Sequence, residues 1–300
     1  MLTATWPKAV KIVEVGPRDG LQNEKTTVPT EVKTKLIELL ADAGTKVVEA
    51  GAFVSPKWVP QMADTAHVLA AMTKRPGVTY PVLVPNDKGL ELAIANDADE
   101  IAVFTAASNT FNQKNTNATI DESFDRLAPA MERAIAHGLR VRGYVSCVVG
   151  CPFEGDIDPA VAASVTRRLL DLGAYEVSLG DTIGVGTPAK VERMLDAVLA
   201  TASADELALH FHDTYGQALA NLMVGLSKGI ATIDSSVGGL GGCPYAPGAG
   251  GNVATEDVLY MLHGCGVKTG IDLAKTVYTA RWISQQLGRD VASRVGRAWK

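Results

Sequence analysis

Short runs of apolar and β-branched residues alternate along this chain with longer segments whose apolar positions recur every three to four residues. The first pattern predicts strands and the second amphipathic helices. Lys11–Val15 reads as a strand, and Pro29–Gly44 as a helix that opens on proline and stops at glycine. Val47–Phe53 is the second strand, followed by a helical segment reaching Lys74. Tyr80–Val84 then leads into helix Lys88–Asn96, Ile101–Thr105 into Asp121–His137, and Val141–Val149 into Pro159–Leu172. Glu176–Leu179 precedes Pro188–Ala202, Leu207–His212 precedes Gln217–Lys228, and Thr232–Val237 precedes Thr255–His263. Alternation of this kind predicts a parallel sheet covered by helices. Eight units in 300 residues predict an α/β chain closed into a (β/α)8 TIM barrel. Residues after Gly266 add one or two C-terminal helices outside the barrel or against a partner. No linker or low-complexity tract interrupts the chain, so residues 1–300 read as one domain.

A barrel of this type places its chemistry at the C-terminal ends of the strands and in the loops that follow them. Strand seven ends in His210-Phe211-His212-Asp213-Thr214. A spacing of two puts both imidazoles on one face of the strand and leaves Leu209 and Phe211 for the helices. Each histidine could simply satisfy a buried hydrogen bond. A pair in this register is better explained by a divalent metal, for which neutral imidazole is the commonest nitrogen ligand.

Other strand ends supply matching groups. Strand one runs into Gly16-Pro17-Arg18-Asp19-Gly20-Leu21-Gln22-Asn23-Glu24, which sets a guanidinium, a carboxylate and an amide at the rim. Alone this is an ordinary polar loop; beside two histidines, Asp19 becomes the natural oxygen ligand. Glu49 lies within strand two, sharing a face with Val47 and Gly51, and a carboxylate there needs a partner, for which Arg18 is the candidate. Asp181 follows strand six, placed to orient a metal-bound histidine, to act as a base, or merely to cap the next helix. After strand eight, residues 238–252 hold seven glycines and two prolines, a density that suits a lid carrying Cys243 over the barrel mouth. Asn252 opens the following helix as a cap or as an amide ligand. His67, His137 and His263 sit in helical segments or at helix ends and read as structural or solvated.

Composition narrows the partners. A formal charge of -5 without a basic run argues against a nucleic-acid footprint. An anionic substrate must therefore be held by local Arg and Lys. The apolar stretches are far shorter than a membrane span, and residues 1–10 lack the features of a signal or transit peptide, so the expected address is the cytoplasm. Four cysteines without a C-x-x-C pair read as reduced thiols.

Taken together, these segments resemble the 3-hydroxy-3-methylglutaryl-CoA (HMG-CoA) lyase family of barrel metallolyases. The resemblance runs from residues 13–24 through 53–62, 142–147 and 178–184 to 210–221 and 239–245. The last stretch, Gly239-Leu240-Gly241-Gly242-Cys243-Pro244-Tyr245, is the most specific. It implies metal ligation by Asp19, His210, His212 and Asn252, with Mg2+ or Mn2+ plausible and Zn2+ not excluded. Arg18 becomes a catalytic electrostatic group, Cys243 a catalytic thiol, and Glu49, Asp181 and Glu256 supporting residues. The base is left open among His210, Asp19 and Asp181. Gln22, Asn23 and Lys25 near the mouth are candidates for substrate contact, the last two for the CoA phosphates. The implied reaction is cleavage to acetyl-CoA and acetoacetate, as in leucine degradation and ketone-body formation, by a homodimer. Ala50-Gly51-Ala52 departs from the hydroxyl residues expected beside Glu49 and leaves the acyl specificity open, the alternative being a related lyase or aldolase acting on a longer-branched 3-hydroxyacyl-CoA.

Overall fold

The computed structural model describes residues 6–242 and 251–300. Its strands are β1 (Lys11–Glu14), β2 in two halves (Val47–Val48 and Gly51–Ala52), β3 (Val82–Leu83), β4 (Glu100–Ala106), β5 (Arg140–Ser146), β6 (Glu176–Asp181), β7 (Leu207–Phe211) and β8 (Thr232–Ser235). All pair in parallel, in the order β1–β8–β7–β6–β5–β4–β3. Strand β2 closes the ring, its lower half on β1 and its upper half on β3. The hand-over falls at Glu49, whose amide donates to Glu14 O, and Ala50, whose amide donates to Pro81 O. The expected barrel is therefore the one observed.

Alternation decides what each strand offers. On β7, Leu209 and Phe211 are fully buried toward the helix layer. Burying such side chains contributes about 1.5–3 kcal/mol each. The opposite faces of β5, β6, β7 and β8 bring Arg142, Ser178, His210 and Asp234 together inside the barrel. Its interior is thus charged where most barrels stack aliphatic layers.

The outer layer comprises α1 (Thr30–Asp42), α2 (Thr65–Ala71), α3 (Asp87–Ala95), α4 (Asn109–Thr116), α5 (Ile120–Ala136), α6 (Pro159–Asp171), α7 (Pro188–Leu199), α8 (Ala218–Ser227) and α9 (Thr255–Gly264). Helices α10 (Leu273–Gln286) and α11 (Arg294–Ala298) follow, α10 packing against α1 and α11 against α9. Among the described residues no helix is long and apolar enough to cross a membrane.

Four local expectations change. Helix α4 was not expected: it is polar, and it starts because Ser108 Oγ accepts from Phe111 N, with no apolar periodicity to announce it. The segment reaching Lys74 is helical only at Pro60–Met62 and in α2. Strand β5 stops at Ser146, where Cys147 takes φ 59°, and the chain continues into a small hairpin, Gly150–Cys151 with Gly155–Asp156. Gly51 does not keep the alternation of Glu49: a Cβ there would meet Thr65 of α2 at 2.7 Å, so position 51 abuts the helix layer.

Candidate active site

After β1 the chain makes one π-helical turn, Gly16–Gly20, which lifts Arg18 and Asp19 onto the barrel rim. From β7, His210 and His212 rise beside them, with ring centroids 5.5 Å apart. Asp19, His210 and His212 each offer a donor atom, and these atoms lie within 4.8 Å of one another. His210 Nε2 stands 4.0 Å from Asp19 Oδ2. The fourth expected ligand joins them: His212 and Asn252 form an antiparallel bridge, and Asn252 Nδ2 donates to Asp19 Oδ2 at 2.7 Å. His212 Nδ1 is buried with no hydrogen-bond partner among the described residues. Two imidazoles, a carboxylate and an amide at one point, with a buried nitrogen left unmatched, are a donor set that fits a divalent cation.

Arg18 is fixed from two sides. Its Nε donates to Glu49 Oε2 at 2.7 Å and its Nη1 to Asp19 Oδ1 at 2.8 Å, while its guanidinium carbon lies 5.5 Å from the Tyr144 ring centroid. Glu49 also accepts from the Tyr144 hydroxyl at 3.3 Å. The pairing expected between strands one and two is present and is buried, with side-chain exposures of 7% and 1%.

Burial opposes every charge here, and neighbours decide the outcome. Burial alone would raise Asp19, but Arg18 first, then His210, His212 and the Asn252 hydrogen bond, bring it down to about 2. Asp19 is therefore ionised and a poor base. Burial pushes Glu49 upward and Arg18 only partly offsets this. Burial, then the neighbouring His210, lowers His212 to about 4, which keeps its imidazole neutral and able to ligate.

Asp181 requires a correction. It is the last residue of β6, on the same face as Val177 and Leu179, and its carboxylate accepts from the amides of Val185 and Gly186 at 3.1 and 2.8 Å. The carboxylate fastens the loop ahead of α7 and bonds neither imidazole, the backbone carbonyl accepts from His212 N at 3.4 Å, and the cap of α7 itself is Thr187. Burial raises it to about 6, tempered by those amides.

The carboxylate that reaches a histidine is Asp234, which had not been singled out. Its Oδ2 lies 3.2 Å from His210 Nδ1. Arg142 and Tyr144 were also passed over for any role, although Arg142 bonds Asp234, Glu176 and the Tyr144 hydroxyl. A charged residue at an inward position of a barrel strand was the available signal.

Beyond the cluster, Gln22, Asn23 and Lys25 line a cleft of about 150 Å³ with Glu24, Trp58 and Gln61. Gln22 Oε1 is buried without a partner among the described residues, and Asn23 Nδ2 donates to Gly242 O. Glu256 accepts from Gly238 N and from Ser293 Oγ, tying the root of the glycine-rich loop to α9 and to the cap of α11. Cys243 lies outside the described residues.

Fold and site together define a barrel enzyme with a candidate cation centre and a fixed guanidinium at its mouth. The HMGL-like family model matches residues 9–283, and the chain belongs to that family. It is 58% identical to the mitochondrial hydroxymethylglutaryl-CoA lyase of Bos taurus, over 98% of this chain and 90% of that protein. A crystal structure of hydroxymethylglutaryl-CoA lyase from Pseudomonas aeruginosa superposes with a TM-score of 0.96 at 53% identity, covering 98% of both chains. An HMG-CoA lyase of A. baumannii, solved with coenzyme A and 3-methylmalate, is 38% identical, with a TM-score of 0.93 over 98% of this chain and 96% of that one.

Proposed function

We propose that this chain is a divalent-cation-dependent carbon–carbon lyase that splits 3-hydroxy-3-methylglutaryl-CoA into acetyl-CoA and acetoacetate. The observation that carries the reading is the convergence of Asp19, His210 and His212 beside Arg18 at the mouth of a barrel shared with the HMG-CoA lyases. Asp19, His210, His212 and Asn252 are the residues that would hold the ion, and two nitrogens with two oxygens suit Mg2+ or Mn2+. Such an ion polarises the oxygens it contacts and lowers the pKa of the 3-hydroxyl.

The chain's own residues account for the rest. A base takes the hydroxyl proton, C3 gains a carbonyl bond, and the C2–C3 pair passes into the acetyl-CoA enolate. Arg18, locked by Glu49 and Asp19 before substrate arrives, faces that developing negative charge with no reorganisation. Asp19 is too weak a base for the proton, which leaves His210 and Asp181 of the three candidates. Cys243, placed by the sequence between Gly242 and Pro244, returns a proton to the enolate carbon. The cleft bearing Lys25 and Asn23 is the proposed seat of the CoA nucleotide, in keeping with the coenzyme A bound by the A. baumannii relative.

The test is acetoacetate formation from HMG-CoA by the chelator-treated protein, before and after Mg2+ or Mn2+ is restored. Activity dependent on the added ion is expected; full activity without it refutes the cation centre, and no cleavage under any condition refutes the reaction.

A further inference from the structure

Inside the barrel, directly beneath the cluster, Asp234 collects an unusual number of donors. Its Oδ1 accepts from Arg142 Nη2 at 2.7 Å, and its Oδ2 accepts from Ser178 Oγ at 2.7 Å and Arg142 Nη1 at 3.1 Å. The fourth neighbour is His210 Nδ1, 3.2 Å from Oδ2. The side chain of Asp234 is 0% exposed and that of Arg142 1%. Arg142 is itself held by Glu176 at 2.8 Å and donates to the Tyr144 hydroxyl at 2.9 Å.

A carboxylate gripped in this two-pronged fashion by a guanidinium stays ionised and can only accept hydrogen bonds. The ring atom facing it must then carry the proton. Whenever the ring is neutral, the lone pair therefore belongs to Nε2, on the side where Asp19 lies. No such clamp exists for His212, whose Nδ1 is buried without a partner among the described residues.

We infer that Asp234, anchored by Arg142 and Ser178, is a positioning residue that fixes His210 as its Nδ1–H tautomer and so presents Nε2 as an unprotonated donor to the Asp19 side of the mouth. The pair of imidazoles is therefore unequal, one preset by the barrel interior and the other free of that constraint. The inference rests on the reading of His210 as a cation ligand, but its first consequence is visible in protein that holds no ion and turns over no substrate. Failure of the lyase assay and failure of the tautomer assignment are thus separate results.

The experiment is nitrogen-15 NMR of the full-length, metal-free protein carrying labelled histidine, with the His210 signals assigned by their loss in His210→Gln. At a pH high enough for the wild-type ring to be neutral, His210 is expected as a single tautomer protonated on Nδ1. In Asp234→Asn the amide must turn its oxygen to Arg142 and its Nδ2 to the ring. The tautomer then shifts toward Nε2–H, and Mn2+ measured by calorimetry binds roughly 10–100-fold more weakly. A merely structural Asp234 would lower the melting temperature without moving the tautomer. Wild-type His210 protonated on Nε2, or Asp234→Asn with wild-type tautomer and Mn2+ affinity, overturns the inference. The wild-type spectrum alone decides the first point, so the inference stays open to refutation even if Asp234→Asn does not fold.

Discussion

Arg18→Gln separates electrostatic catalysis from cation binding more sharply than any other change at the mouth. The substitution deletes two short charge-assisted hydrogen bonds, to Glu49 at 2.7 Å and Asp19 at 2.8 Å. Removing a preorganised donor aimed at developing charge costs roughly 2.7–4 kcal/mol of transition-state stabilisation, a fall of about 10²–10³ in kcat. Asp19 keeps its hydrogen bond from Asn252 and its place beside His210, so Mn2+ affinity is expected to hold or rise once the competing guanidinium is gone. Folding pays separately: Glu49, 1% exposed, loses its counter-charge, and an unpaired buried carboxylate costs about 3–5 kcal/mol. Glu49 escapes that cost by taking up a proton, which its already raised pKa favours. A carboxyl whose folded pKa lies above its unfolded value binds more protons in the folded state, so the penalty grows with pH above the unfolded pKa. The Tm deficit of Arg18→Gln should therefore be larger at pH 8 than at pH 5. Steady-state acetoacetate assays, Mn2+ calorimetry and melts at the two pH values test all three statements. A kcat within tenfold of wild type would remove Arg18 from the chemistry.

Glu14, fully buried and raised by burial from 4.5 to about 7, costs the folded state stability as pH rises from the unfolded value through 7, up to roughly 3 kcal/mol. Glu14→Gln can still accept from Gly16 N and Val237 N and can donate to Thr255 Oγ1, so it should raise Tm at pH 8 and leave it nearly unchanged at pH 5; equal effects at both would refute the titration. His212→Ala removes one of three converging donors, and the dialysed protein should retain far less Mn2+ than wild type by elemental analysis. Gly225→Ala would favour an exposed helix by up to 1 kcal/mol, but here its Cβ would sit 2.3 Å from Leu209 Cδ1. Overpacking against a residue adjoining His210 should cost about 1–3 kcal/mol, read as a lower Tm.

The barrel could be read from the chain because each of the eight units declares itself locally, by an apolar run and then a three-to-four-residue period. The cluster of Asp19, His210 and His212 was legible for the same reason: short-range spacing and a strand-end position place these candidate ligands. What escaped depends on distant pairing. Asp234 and Arg142 stand 92 residues apart and meet only because β5 and β8 line one lumen. In the sequence Asp234 is the one charge of its strand and Arg142 one of two in its own, and nothing local states which partner will neutralise either. Asp181 was read as lying just past its strand; it is the strand's last residue, and its carboxylate turns to the amides of the next loop. The second strand looked continuous, yet it changes neighbours between Val48 and Gly51, a consequence of ring closure that no local pattern encodes.

The charged lumen also sets how this molecule can change over time. Asp234 and Glu176 share the Arg142 guanidinium, Glu176 with Lys11 as a second partner, so losing Arg142 strands Asp234 and weakens the hold on Glu176. Neutral drift at a single position is blocked, and the trio should be inherited or replaced as a block. A barrel that exchanged all three for aliphatic side chains would have to find new partners for Ser178, Tyr144 and Lys11, and the imidazole of His210 would face no carboxylate from below.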